Sequence, residues 1–234
     1  MKKLGVCTVL TVSAFCVLLW FSPLKAYADS VTMQFTGVGT NNSGGVYTYP
    51  YDFKVTPTGG GPSENLSLMC ISFDDHIYLQ NPNETWTANV VTAGFLGTTY
   101  EKEAYLYSQA VANVNSNTIS GAANWAAWAL GESSLTTVAE EDGFLASHIG
   151  GTELTDAKND LTYVEGLSST ALAEYADYLI YEPVPGSELP LADGLPQTFV
   201  GAPAPTPEPS SLVLLGSGLL TAAGALYRRK RRTA

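Results

Sequence analysis

From residue 29 to about residue 80, apolar and polar positions alternate. Val31-Thr32-Met33-Gln34-Phe35 puts three apolar side chains on one face of an extended segment. The runs 46–49 and 51–55 repeat that period. Before them, Asn41-Asn42-Ser43-Gly44-Gly45 is a turn built from residues that tolerate positive φ. Thr58-Gly59-Gly60-Gly61-Pro62 forms a second loop, and 66–73 reads as a half-buried strand that 77–79 continues after Asp74-Asp75. Beyond residue 100 the period lengthens. Ala104, Tyr105, Tyr107, Ser108, Val111 and Ala112 share one stripe of a helix over 101–114. Asn115-Ser116-Asn117 breaks it, and 118–130 is a second, more apolar helix carrying Trp125 and Trp128. Helices are also predicted over 135–148, over 155–167 with Thr155 or Asp156 as cap, and over 171–178. Strands return at 178–183 and 197–200. The order predicts an α+β fold: an N-terminal antiparallel β-rich half, a helical middle, and a C-terminal strand pair closing the first sheet.

Both ends break this pattern. Lys2-Lys3, the apolar run 4–21 and Ala26-Tyr27-Ala28 have the form of a secretory signal peptide over 1–28, cleaved before Asp29. The acidic body spans 29–201, and a Pro-rich linker carrying Pro207-Glu208-Pro209 spans 202–209. An apolar stretch over 210–227 follows, and then a basic tail over 228–234 with Arg228, Arg229, Lys230, Arg231 and Arg232. Its sixteen residues from Leu212 to Tyr227 reach roughly 24 Å as a helix, short of a ~30 Å hydrocarbon core but workable with flanking residues. The expectation is a single transmembrane helix whose basic flank stays cytoplasmic and leaves the body outside.

Pro-Glu-Pro, a short apolar helix and an Arg-rich end, paired with a signal peptide, resemble the PEP-CTERM sorting signal of Gram-negative bacteria. The resemblance covers about the last 28 residues, 207–234. It implies passage through the secretion translocon and an inner-membrane precursor. It also implies recognition by an exosortase, with the tail removed near Pro207-Glu208-Pro209. Relatives of this kind are surface or extracellular proteins of biofilm-forming bacteria that make exopolysaccharide, so a polysaccharide or matrix protein is the candidate partner.

Charge sharpens the picture of the body. The whole chain carries −11, but residues 29–201 hold three lysines against 21 acidic residues, a net −18. Such a surface excludes nucleic acid, whose phosphates need Lys and Arg to replace their counterions. His76 and His148 lack any zinc-ligand spacing, and no G-x-S-x-G, Walker A or G-x-G-x-x-G motif occurs. No catalytic residue or resident cofactor is expected, and the body reads as non-enzymatic. Calcium is the one candidate ion, with oxygen donors Asp74, Asp75, Glu140, Glu141 and Asp142, although none of these follows the EF-hand pattern. A carbohydrate-active enzyme built on Asp74 or Asp75 would need a carboxylate pair that the sequence does not single out.

Cys7 and Cys16 lie in the leader, which leaves Cys70 as the single cysteine of the body, without an internal disulfide. Cys70 followed by Ile71-Ser72-Phe73-Asp74-Asp75, with Asn124-Trp125-Ala126-Ala127-Trp128 downstream, is similar to the thioester domains of bacterial surface adhesins. Those join an early Cys to a Gln in a T-Q-x-A-x-W helix. Alignment on Trp128 places Asn124 at the Gln position and Ala123 at the Thr position, so the side chain is one methylene shorter. Gln109 is the other amide within the resemblance. The plain alternative keeps Cys70 as a buried thiol and both tryptophans as core. Finally, 13 Tyr and 4 Trp, Trp86 among them, allow a carbohydrate-binding reading by ring stacking.

Overall fold

The computed structural model describes residues 30–75, 84–187 and 196–203, all within one compact unit spanning 28–204. Its frame is a closed six-stranded barrel. In chain order the barrel strands are β1 (Ser30–Val38), β4 (Tyr51–Pro57), β5 (Glu64–Cys70), β6 (Thr85–Thr92), β7 (Leu179–Pro183) and β8 (Phe199–Gly201). Around the barrel they run β1-β4-β5-β8-β7-β6, and every pairing is antiparallel. A two-residue ladder of β2 (Asn42–Ser43) with β3 (Val46–Tyr47) stands apart, turned by Gly44-Gly45 at φ 58° and 84°. Positive φ at both central residues is what a tight two-residue hairpin demands.

The alternation seen in the sequence becomes the inward face of the barrel. Met33, Phe35, Phe53, Trp86 and Phe199 are buried, and Phe53 meets Phe35, Trp86 and Phe199 at ring-centroid distances of 5.6, 5.5 and 4.8 Å. Burying such large rings contributes strongly to the core of a body that has no internal disulfide. The end of β5 and all of β8 are buried at successive positions, as they must be where helices cover a second face.

Those helices fill the gap between β6 and β7. A short α1 (Ala93–Leu96) leads into α2 (Thr98–Ala112), α3 (Asn117–Gly131), α4 (Val138–His148), α5 (Gly151–Glu165) and α6 (Ser169–Leu172), and a 3-10 turn (Ala173–Tyr175) ends the run. The hub is α3. Every residue from Ser120 to Ala129 is buried, and the helix touches α2, α4, α5, β2 and β5. Its alanines permit that close approach on all sides. Ser116 caps it, accepting from the Ile119 N–H.

Several boundaries differ from the sequence reading. β6 carries little sequence signal, because only Trp86 and Ala88 mark its buried face among Thr and Asn. The strand expected over 66–73 runs instead from Glu64 to Cys70, and 77–79 lies outside the described residues. α5 starts at Gly151 with Gly150 as cap, four residues ahead of Thr155, while the helix expected over 171–178 is a single turn followed by a 3-10 turn. The buried stripe of α2 is Glu103, Ala104, Leu106, Tyr107 and Ala110; Tyr105 is half-buried, and Val111 and Ala112 are exposed. A buried glutamate hid that phase. The expected C-terminal transmembrane helix lies outside the described residues. Among the described residues no helix is long and apolar enough to cross a membrane.

Candidate functional site

Cys70 ends β5, where Ile71 N–H still pairs with Thr198 O at 2.9 Å. Its side chain is fully buried. The thiol donates to Ser72 O at 3.1 Å and accepts from the Trp128 indole N–H at 3.4 Å. Burial pushes the thiol up to about 12, with the Trp128 N–H acting in the opposite direction. A thiol held there is protonated at physiological pH and is a poor nucleophile.

Asn124 arrives from the middle of α3, also fully buried. Its amide is engaged at both ends. Nδ2 donates to Cys70 O at 2.9 Å, and Oδ1 accepts from Tyr49 N–H at 2.9 Å. Tyr49 O in turn accepts from Asn41 Nδ2 at 3.0 Å, so both main-chain polar groups of Tyr49 are held by asparagines. Asn124 thereby joins the loop before β4 to the end of β5, satisfying backbone groups that neither ladder reaches. Gln109, the other amide, bonds Ser108 Oγ at 3.4 Å on α2.

Around this pair lies an aromatic shell. Trp125 and Trp128 meet edge-to-face at 4.8 Å, and Phe73 contacts both, at 5.4 and 5.3 Å. His148 stacks on Trp125 at 5.2 Å, and the Trp125 N–H donates to Ser43 Oγ at 2.6 Å, which fastens the β2–β3 hairpin to α3. A side chain at Gly44 would lie 2.8 Å from both the Trp125 ring and His148 O. With Trp86, Trp125 and Trp128 buried, none of the three offers a face to a sugar.

The acidic candidates serve local ends. Glu140 Oε2 accepts from the Thr136 N–H and hydroxyl and from the Thr137 hydroxyl at the start of α4, which holds its carboxyl below the usual range. Asp142 pairs with Lys158 at 3.2 Å. Glu141 is buried, and its carboxyl is raised chiefly by desolvation. Asp75 O accepts from Gln197 Nε2 at 2.9 Å. Among the described residues no three His, Cys, Asp or Glu side chains gather as a metal site.

Two groups escaped the sequence reading. Glu103 is buried in α2, its Oε2 without a hydrogen-bond partner among the described residues, and burial raises its carboxyl well above the usual range. A tyrosine cluster also joins α2, α5 and the 3-10 turn. Its rings come from separate elements, so no single sequence window carries its pattern.

Ala26, Ala28, Asp29, His76, the Pro207-Glu208-Pro209 motif and the basic cluster 228–232 lie outside the described residues. For the C-terminal part, comparison with known families supplies the finding. Residues 205–232 match the family model described as the PEP-CTERM protein-sorting motif. The chain carries this motif, which marks an exosortase-sorted protein of the cell surface or extracellular space. No curated protein and no solved structure matches the chain.

Proposed function

We propose that this chain is a non-enzymatic surface or matrix protein contributing to adhesion or biofilm structure in a Gram-negative bacterium. The observation that carries the reading is the sorting motif at 205–232. The internal engagement of the thioester-like residues supports it, since Asn124 is spent on two backbone groups and the Trp128 N–H on the Cys70 thiol. Replacing Glu208 with Ala should leave unprocessed precursor in the inner-membrane fraction. Deleting the gene should reduce retained biofilm mass. Unchanged biofilm in a strain that had displayed the protein at its surface would overturn the adhesion role.

The alternative is a covalent adhesin acting through Cys70. Thioester formation needs a thiolate and a free amide carbonyl, whereas the thiol sits at about 12 and Asn124 Oδ1 accepts from Tyr49. Intact mass separates the readings: a thioester lowers the mass by about 17 Da, one ammonia, and Cys70→Ala abolishes that loss. An unmodified mass is expected.

A further inference from the structure

The tyrosines of this body are not all core. Tyr163 on α5 is 57 % exposed and lies against Tyr105 of α2 at 5.5 Å, the two rings tilted by 30°. Tyr105 meets Tyr175 of the 3-10 turn edge-on at 5.4 Å, and Tyr175 meets Tyr178 at 5.6 Å. From Tyr178 the ring contacts continue inward to the buried Tyr107 and Tyr49, at 6.1 and 5.6 Å. The outer rings are therefore braced by the core, and little rotamer freedom remains to be lost on binding.

Beside these rings sits a carboxylate, close enough to Tyr105 for its charge to act on that phenol. Asp160 precedes Tyr163 by three residues on α5, hence on the same face. The nearby cations are taken: Lys102 pairs with Glu165 at 2.8 Å and Lys158 with Asp142. Asp160 is half-buried, and no described residue bonds it. Burial, then neighbouring Asp156, raises its carboxyl to about 6; burial, then Tyr163, Asp160 and Tyr175, raises the Tyr105 phenol to about 12. On the adjoining α1, Phe95 is 81 % exposed, and Gly94 N–H bonds Ala176 O next to Tyr175.

We propose that Tyr105, Tyr163 and Tyr175, together with the Asp160 carboxylate, form a stacking platform for an uncharged pyranose polysaccharide. The negative face of a phenol ring attracts the slightly positive C–H face of a sugar, and a carboxylate accepts from two vicinal hydroxyls. An ammonium ligand fits less well. The rings touch one another at 5.4 and 5.5 Å, leaving no slot between them for a cation, so a ligand meets them from outside. A body at −18 repels anionic polymers. This inference deepens the matrix role proposed above and rests on it for its setting.

Isothermal titration of the full chain in detergent micelles tests it, with cellohexaose and laminarihexaose as neutral probes, polymannuronate as anionic and chitosan hexamer as cationic. At least one neutral hexamer should bind. Tyr163→Ala should weaken that binding by about fivefold or more, the size of one aromatic contact, and Asp160→Asn should also weaken it. Tyr163 is exposed, so its loss spares the fold, which circular dichroism verifies. Tyr47→Ala, an exposed tyrosine outside the cluster, should leave the affinity unchanged. Absence of neutral binding at millimolar ligand, equal loss in Tyr47→Ala, or chitosan binding that only Asp160→Asn affects would each overturn the platform. The titration is independent of sorting, so a failure here is distinct from misplacement in the Glu208 experiment.

Discussion

Asn124 offers the sharpest test of how the body is held together. Replacing it with alanine strands two buried backbone groups, Tyr49 N–H and Cys70 C=O, each now bonded at 2.9 Å. A buried group left unpaired costs roughly 1–3 kcal/mol, which for two groups gives about 4 kcal/mol. In a body of this size 1 kcal/mol corresponds to about 2–4 °C in Tm, so the expected fall is roughly 8–16 °C. Near-UV circular dichroism of the full chain reads it directly, because Trp125 and Trp128 pack beside the mutated residue. Asn124→Asp refines the test. It keeps an acceptor for Tyr49 but faces Cys70 O with a carboxylate, so it should melt at least as low at pH 7. As the pH falls it should recover, since a protonated carboxyl can donate. An alanine variant melting within about 2 °C of wild type would refute the bracing role.

Other outcomes follow from single features. Gly44→Ala should lower stability by about 1–3 kcal/mol in a denaturant titration, since φ is 58° there and the new Cβ meets the Trp125 ring at 2.8 Å. Mass mapping after iodoacetamide should find Cys70 unlabelled in the folded chain at pH 8 and labelled once it is denatured; labelling at equal rates would contradict its burial. Glu103 binds its proton more tightly folded than unfolded, so its contribution is fully present below the unfolded value near 4.5 and is lost as pH rises through the higher folded value. Glu103→Gln should therefore melt higher than wild type at pH 8 and show a flatter dependence of Tm on pH.

How far the fold could be read depends on where each signal lies. β1 and β4 were legible because Val31, Met33, Phe35 and Tyr51, Phe53, Val55 alternate with polar residues that face outward. β6 was not, because its buried face holds one tryptophan and one alanine, too few to set a period. The returning strands were visible, yet their place in the ring depends on pairing β8 with β5 across some 130 residues of chain. The meeting of Cys70 and Asn124 was legible, but its chemistry was not. A motif comparison asks only whether Asn124 can stand for Gln, whereas its role is set by Tyr49, 75 residues away, and by the Cys70 carbonyl. The tyrosine platform draws on three elements, and no local pattern could have assembled it.

The position of β8 has a consequence for timing. It is the last strand of the barrel in the chain, yet it sits between β5 and β7 and closes the ring. Until the segment ending at Gly201 is in place, β5 and β7 lack a partner on that side, and the most non-local of these pairings cannot form. A chain that emerges in order from its N-terminus thus keeps an open barrel until its last barrel strand is present. The matched sorting segment begins at residue 205, four residues after the closing strand. The strand that closes the ring and the start of the sorting segment therefore fall within one short stretch of chain.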